Sequence, residues 1–227
     1  MIKLNNISIK YDDLQVLKDF NITFDDNKIT CLVGPSGVGK TTIANIVAKL
    51  IHPDEGYITG IENAIYSYVF QEPRLLDWYS VYDNIGFVLK DIYNADERKK
   101  ITNNYIEMVE LTDYKDYKPQ ALSSGMAQRV SIARAFAYPS NVLIMDEPFK
   151  GLDVKLKHEM ISSFQKLWSD SKRTVLFITH DIDEAVSLSH TIYMIKNRPA
   201  NVIKKFDNVA ESDKVLIKEK LKNIYFS

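Results

Sequence analysis

Residues 34–42 read G-P-S-G-V-G-K-T-T, between an apolar run at 28–33 and helix-like spacing that continues to about Leu50. The stretch matches G-x-x-x-x-G-K-[ST] in the context that gives the pattern meaning, a strand before it and a helix after it. Gly34, Gly37 and Gly39 let the backbone curl with its amides pointing inward, and the helix N-terminus adds positive polarity. Pro35, Ser36 and Val38 complete the loop. Lys40 offers a mobile charge to β- and γ-phosphates, Thr41 a hydroxyl to Mg2+, and Thr42 a hydroxyl within reach of an α-phosphate. A glycine turn with a helix cap is the bland alternative, and the flanking strand and helix make it the poorer one. The expectation is a nucleotide-binding P-loop.

Working outward, residues 2–9 and 16–24 read as paired strands around a polar turn at Asp12 and Asp13, and His52–Gly56 punctuates the chain before a strand-like run at 65–70. From 72 to about 138 the periodicity becomes helical, with helices expected at 81–90, 95–111 and 126–138. Continuous apolar runs return at 142–146 and 174–179, the pattern of strands buried on both faces of a parallel sheet. Between them Leu156, Met160, Ile161, Phe164, Leu167 and Trp168 recur at helical spacing and read as a packing face. Strands are expected near 191–195 and 201–206, then a solvated Lys- and Glu-rich helix over 211–224. This order predicts an α/β fold: a P-loop NTPase core with a parallel-rich sheet, an N-terminal antiparallel β-subdomain and an inserted α-helical subdomain.

The run V-L-I-M-D-E at 142–147 ends a strand in two acids. Asp146 is placed to hold Mg2+ through water, and Glu147 to polarise an attacking water. Acid pairs at strand ends are common, so this one gains its weight by following a P-loop at about a hundred residues. The bulk numbers agree with an ordinary soluble domain: 227 residues, 45% hydrophobic and 26% charged. A formal net charge of −1 argues against a nucleic-acid partner. The single cysteine, Cys31, sits in an apolar run and reads as a small buried hydrophobe. The N-terminus lacks a signal-peptide pattern, and no stretch approaches the ~18–20 apolar residues of a membrane span. A cytosolic or peripheral protein is expected.

With these motifs stand V-F-Q-E-P at 69–73, L-S-S-G-M at 122–126, G-L-D at 151–153 and T-H-D at 179–181. Six motifs in this order resemble the ATP-binding subunit of ABC transporters over nearly the whole chain. The resemblance implies a single ABC ATPase domain, with 1–71 and 139–227 as core and 72–138 as a helical subdomain carrying L-S-S-G-M. It implies an enzyme that converts ATP and water to ADP and phosphate with Mg2+. Tyr11 matches the aromatic that stacks on adenine, Gln71 the glutamine that contacts Mg2+ and the attacking water, Asp153 the aspartate that communicates across the dimer, and His180 the switch histidine. A lone tyrosine or glutamine would be packing or surface, and G-L-D alone a helix cap. Ser123 and Gly125 match groups that meet the γ-phosphate held by a second copy of the chain, paired head to tail. Ser123 also reads as the cap of the following helix.

Finer details are similar to importers of nitrate, sulfonates, taurine and thiamine-precursor pyrimidines: Q-E-P-R-L-L-D-W at 71–78, Met126, T-H-D-I-D-E-A at 179–185 and R-P-A at 198–200. This implies two integral-membrane permease subunits as partners, an extracytoplasmic solute-binding protein indirectly, and a peripheral place on the cytoplasmic face of the membrane. Arg74, Leu75, Leu76, Trp78 and Tyr79 are candidates for the permease groove, with lobe core as the alternative for the leucines. A soluble ABC-type ATPase of an assembly or repair machine is the rival. Repair members carry long coiled coils or zinc-binding cysteines, which this chain lacks. Ser124 and Lys150 depart from the family pattern; a serine forced to positive φ would cost about 1 kcal/mol.

Overall fold

The computed structural model describes residues 1–226. In chain order the first elements are β1 (Ile2–Tyr11), β2 (Leu14–Phe24), β3 (Ile29–Val33), α1 (Lys40–Val47), β4 (Glu55–Thr59) and β5 (Tyr66–Val69). Helices α2 (Val81–Gly86), α3 (Ala95–Met108) and α4 (Ser124–Ala137) follow, then β6 (Val142–Asp146), α5 (Val154–Asp170) and β7 (Thr174–Thr179). The chain continues through α6 (Ile182–Leu188), β8 (Thr191–Lys196), β9 (Asn201–Asp207) and α7 (Lys214–Phe226). Packing divides it into two compact units, one of residues 1–66, 141–147 and 172 onward, the other of 67–140 and 148–171.

The first unit is the α/β part. Strands β2, β1 and β4 form an antiparallel sheet in the order β2-β1-β4, and in the second sheet β6, β7, β3, β8 and β9 stand side by side in that order. The pairs β3–β7, β3–β8 and β6–β7 are parallel, and β9 closes on β8 antiparallel. Every residue of β3, β6 and β7 is buried, as their unbroken apolar runs demand. Each fully buried Leu, Ile or Phe in such a layer contributes about 1.5–3 kcal/mol. The register makes the strand ends level: Val33 lies opposite Thr179, and Asp146 opposite Ile178. The chain therefore leaves three parallel strands on one edge, at Gly34, Glu147 and His180.

Two elements go beyond the sequence expectation. Strand β4 pairs with β1 although Glu55, Gly56 and Tyr57 are exposed, and α6 follows the T-H-D motif as a seven-residue helix. The terminal helix is a correction. Its expected solvated character gives way to burial of Ile217 and Leu221, while Lys214 Nζ donates to the Ser187 carbonyl and Lys218 pairs with Asp183. Cys31 is fully buried, and burial pushes its thiol pKa well up.

The second unit is helical. Phe136 of α4 and Phe164 of α5 meet edge to face with centroids 5.8 Å apart, on the α5 face that the periodicity marks. Asn84 of α2 is fully buried and ties down the segment before the helix. Its Oδ1 accepts from the Leu76 amide at 2.8 Å, and its Nδ2 faces the carbonyls of Leu76, Tyr79 and Ser80 at 3.1, 3.2 and 3.0 Å. Arg134 of α4 donates to the carbonyls of Pro73 and Arg74, both at 3.1 Å, and burial lowers its pKa.

Candidate functional site

Gly37 and Gly39 have φ of 79° and 108°, left-handed values that a side chain resists, and a Cβ on either would strike a neighbour. For Gly37 that neighbour is the Arg198 guanidinium; for Gly39 it is Val16 of β2. The curl they permit carries the chain from buried β3 into α1. Helices α2 to α6 each start with a capping side chain: Ser80, Asn94, Ser123, Asp153 and Asp181. Helix α1 starts at Gly39 with none and with no acidic residue in its first turn. Its first turn thus brings neither a capping side chain nor a negative charge of its own, the arrangement that suits an anionic ligand.

Lys40 is buried, and its Nζ donates to the carbonyls of Gly34 and Pro35, each at 2.8 Å. Its charge is thereby held within the loop. Ser36 and Gly37 are exposed, Val38 is buried, and Thr42 is half-buried. Thr41 Oγ1 donates to Asp146 Oδ2 at 2.8 Å. This brings a hydroxyl from α1 and a carboxylate from the end of β6 to one point, two hard oxygen donors of the kind Mg2+ takes. Among the described residues no three His, Cys, Asp or Glu side chains cluster as a metal cage.

Glu147 follows at φ 46°, left-handed without being glycine, and its amide donates to the Ile178 carbonyl at 2.9 Å. Its Oε2 lies 3.2 Å from Nδ1 of His180, whose side chain is 43% exposed. The backbone on either side of His180 is braced: Thr179 Oγ1 donates to buried Glu184 at 2.6 Å and accepts from the Asp181 amide at 3.0 Å. Asp181 Oδ1 in turn accepts from the amides of Asp183 and Glu184 at the head of α6. Thr179 and Glu184 were absent from the expected site. The signal for them was present in T-H-D-I-D-E-A, where Asp181 and Glu184 stand three apart, the spacing of a capping box. Tyr11 ends β1 and is 46% exposed, opposite Leu14 across the hairpin.

The first unit therefore brings Lys40, Thr41, Asp146, Glu147 and His180 to one sheet edge, where parallel α/β folds bind ligands. The loop residues 34–39, Thr42 and Tyr11 belong to the same unit, whereas Gln71, Ser123, Gly125 and Asp153 belong to the second. Gln71 is exposed in the bend after β5. Ser123 Oγ accepts from the Met126 amide at 3.3 Å, making it the cap of α4. Ser124 opens that helix at helical angles, so the feared left-handed cost does not arise here. Gly125 is buried in the first turn. Asp153 Oδ1 accepts from the Leu156 amide at 3.0 Å, so G-L-D ends in a helix cap. Of the groove candidates, Trp78 is 68% exposed while Leu75 and Leu76 are half-buried.

Comparison with known proteins adds the family. A family profile described as ABC transporter matches residues 17–150. The chain is 36% identical over 218 residues to the bicarbonate transport ATP-binding protein of Synechocystis sp., covering 88% of this chain and 76% of that one. It is 36% identical over 199 residues to the nitrate import ATP-binding protein of Synechococcus elongatus, covering 82% and 72%. Among solved structures, a dimeric, post-hydrolysis ATP-binding cassette bound to ADP and Pi superposes with a TM-score of 0.80 at 28% identity, over 92% of this chain and 99% of that one.

Proposed function

Because this chain belongs to the ABC transporter family, we propose that it is the ATP-hydrolysing subunit of a membrane importer for a small solute of the nitrate, sulfonate, taurine or thiamine-precursor pyrimidine type. The observation that carries the proposal is the meeting of Lys40, Thr41 and Asp146 with Glu147 and His180 at one sheet edge. In this assignment the loop amides of residues 34–42 and the Lys40 ammonium bind the phosphates, and Tyr11 stacks on adenine. Thr41 and Asp146 would hold Mg2+, with Gln71 as a further ligand, and the ion when bound would offset the charge of the β- and γ-phosphates.

Water attacks the γ-phosphorus as the bond to the β–γ bridging oxygen breaks, leaving ADP and inorganic phosphate. Glu147 accepts the proton that the water gives up, from a position fixed at the strand end. His180 steadies Glu147 and offers a hydrogen bond to the γ-phosphate. Catalysis of this kind is positioning and charge stabilisation more than covalent chemistry.

The proposal extends to Ser123, Gly125 and Asp153. A second copy of the chain supplies the first two to the γ-phosphate, and Asp153 signals across the pair. The relative solved as a dimer supports this arrangement. The whole chain is taken as one ATPase domain, 1–71 and 139–227 as core and 72–138 as helical insert. It would sit peripherally on the cytoplasmic face beside two permease subunits, with a solute-binding protein feeding them from outside. Substitution Glu147→Gln tests the chemistry: it should keep ATP binding and lower turnover about 10²–10⁴-fold. Near-wild-type phosphate release would remove Glu147 from its role.

A further inference from the structure

The connection between β8 and β9 crosses behind the phosphate loop. Its Arg198 is exposed, yet its Nε donates to the Gly37 carbonyl at 2.5 Å. Its Nη2 occupies the space a Gly37 side chain would take. Two residues on, the Ala200 amide donates to the Val16 carbonyl at 2.8 Å, and Ala200 Cβ faces Gly39. One short connection thus touches both left-handed glycines of the loop and the start of β2, the strand that returns from Tyr11. Asn197, which begins it, is itself left-handed at φ 69°.

The chemistry of that contact is directional. The Gly37 carbonyl belongs to the same peptide unit as the Val38 amide. A cation donating to the oxygen draws electron density away from the nitrogen and makes Val38 N–H a stronger donor. The contact also fixes the plane of that peptide, so the amide keeps its aim without a ligand present. From this geometry we propose that Arg198 is a positioning residue for the nucleotide site. It orients and polarises the Gly37–Val38 peptide toward the phosphates, and through Ala200 it couples the loop to the hairpin bearing Tyr11. The inference rests on the nucleotide assignment made above.

The test measures ATP affinity and nucleotide-free melting temperature for the wild-type chain, Arg198→Ala, Arg198→Lys and, as a control on the assignment itself, Lys40→Ala. Arg198→Ala should raise the Kd on the order of tenfold, the scale of one hydrogen bond to a charged donor. Arg198→Lys retains a cation able to reach the carbonyl and should recover most of that loss, while the nucleotide-free melting temperature stays at the wild-type value. An unchanged Kd in Arg198→Ala would overturn the proposal. So would a loss that lysine does not reduce, or one accompanied by a lowered melting temperature, since either marks a strut and not an orienting group. If the wild-type chain binds no ATP, the nucleotide assignment fails and takes this inference with it. Loss in Lys40→Ala with wild-type affinity in Arg198→Ala would sink the inference alone.

Discussion

Glu147 is held in a conformation that costs a non-glycine residue about 1–2 kcal/mol, and Pro148 after it disfavours the right-handed helical alternative. The hydrogen bond from its amide to the Ile178 carbonyl makes the backbone of the residue an extension of the β6–β7 pairing. Such strain fits a group whose aim matters more than local comfort. Tyr11 presents the opposite case, a half-exposed ring at a strand end whose worth depends on what stacks against it. Tyr11→Ala should weaken ATP binding by about 1–3 kcal/mol and Tyr11→Phe should not, as a fluorescent-nucleotide titration would read. Equal loss in both variants would mean that the hydroxyl, not the face, is used. The curl of the loop at 34–42 could be read from sequence because its left-handed turns demand glycine at Gly37 and Gly39. The contact of Arg198 with Gly37 could not, because its acceptor is a backbone carbonyl, and a carbonyl leaves no trace in residue identity.

Elements were legible in proportion to their hydrophobic pattern. The strands β3, β6 and β7 are unbroken apolar runs and their chain positions follow from sequence. Strand β4 is E-G-Y-I-T with its first three residues exposed; backbone pairing with β1 defines it, and periodicity is silent on that. Helix α6, at seven residues, is too short to show a face. Helix α1 ends at Val47 and not near Leu50, because Lys49 turns left-handed at φ 59°. One junction between elements predicts a pH effect. His190 joins α6 to β8, its Nδ1 accepting from the Ile29 amide at 3.1 Å while its own amide donates to the Ile29 carbonyl at 2.8 Å. Burial, then the charges of Lys28 and Lys172, hold its pKa below 6.5. As pH falls, the unfolded chain takes up this proton before the folded one does. The contribution of His190 is therefore whole above about pH 6.5 and declines below it. His190→Asn, which keeps an acceptor for Ile29, should flatten the fall in melting temperature between pH 7 and 5; an unaltered slope would place the effect elsewhere.

At the scale of the whole molecule, the two units divide the expected chemistry. The phosphate loop, both acids and the histidine belong to one, while Gln71, L-S-S-G-M and G-L-D belong to the other. Among the described residues no helix is long and apolar enough to cross a membrane, and the importer proposal therefore calls for partners that do. Affinity capture of the full chain from its native membranes should bring down two integral-membrane proteins, and recovery of soluble partners alone would defeat the importer proposal. Sequence showed the order of the motifs but not the lacing among them, since contacts such as Arg198 with Gly37 join residues 161 positions apart.

The level ends of β3, β6 and β7 have a consequence for how the protein comes into being. G-P-S-G-V-G-K-T-T is synthesised well before both neighbours of β3, namely β7 and β8, which lie beyond residue 173. Parallel pairing over such separations is slow, because a long loop must close before any contact rewards it. A nascent chain can thus display the whole glycine-rich motif well before either strand that pairs with β3 exists. The shape of the loop is therefore set late, once the strands beyond residue 173 have been made.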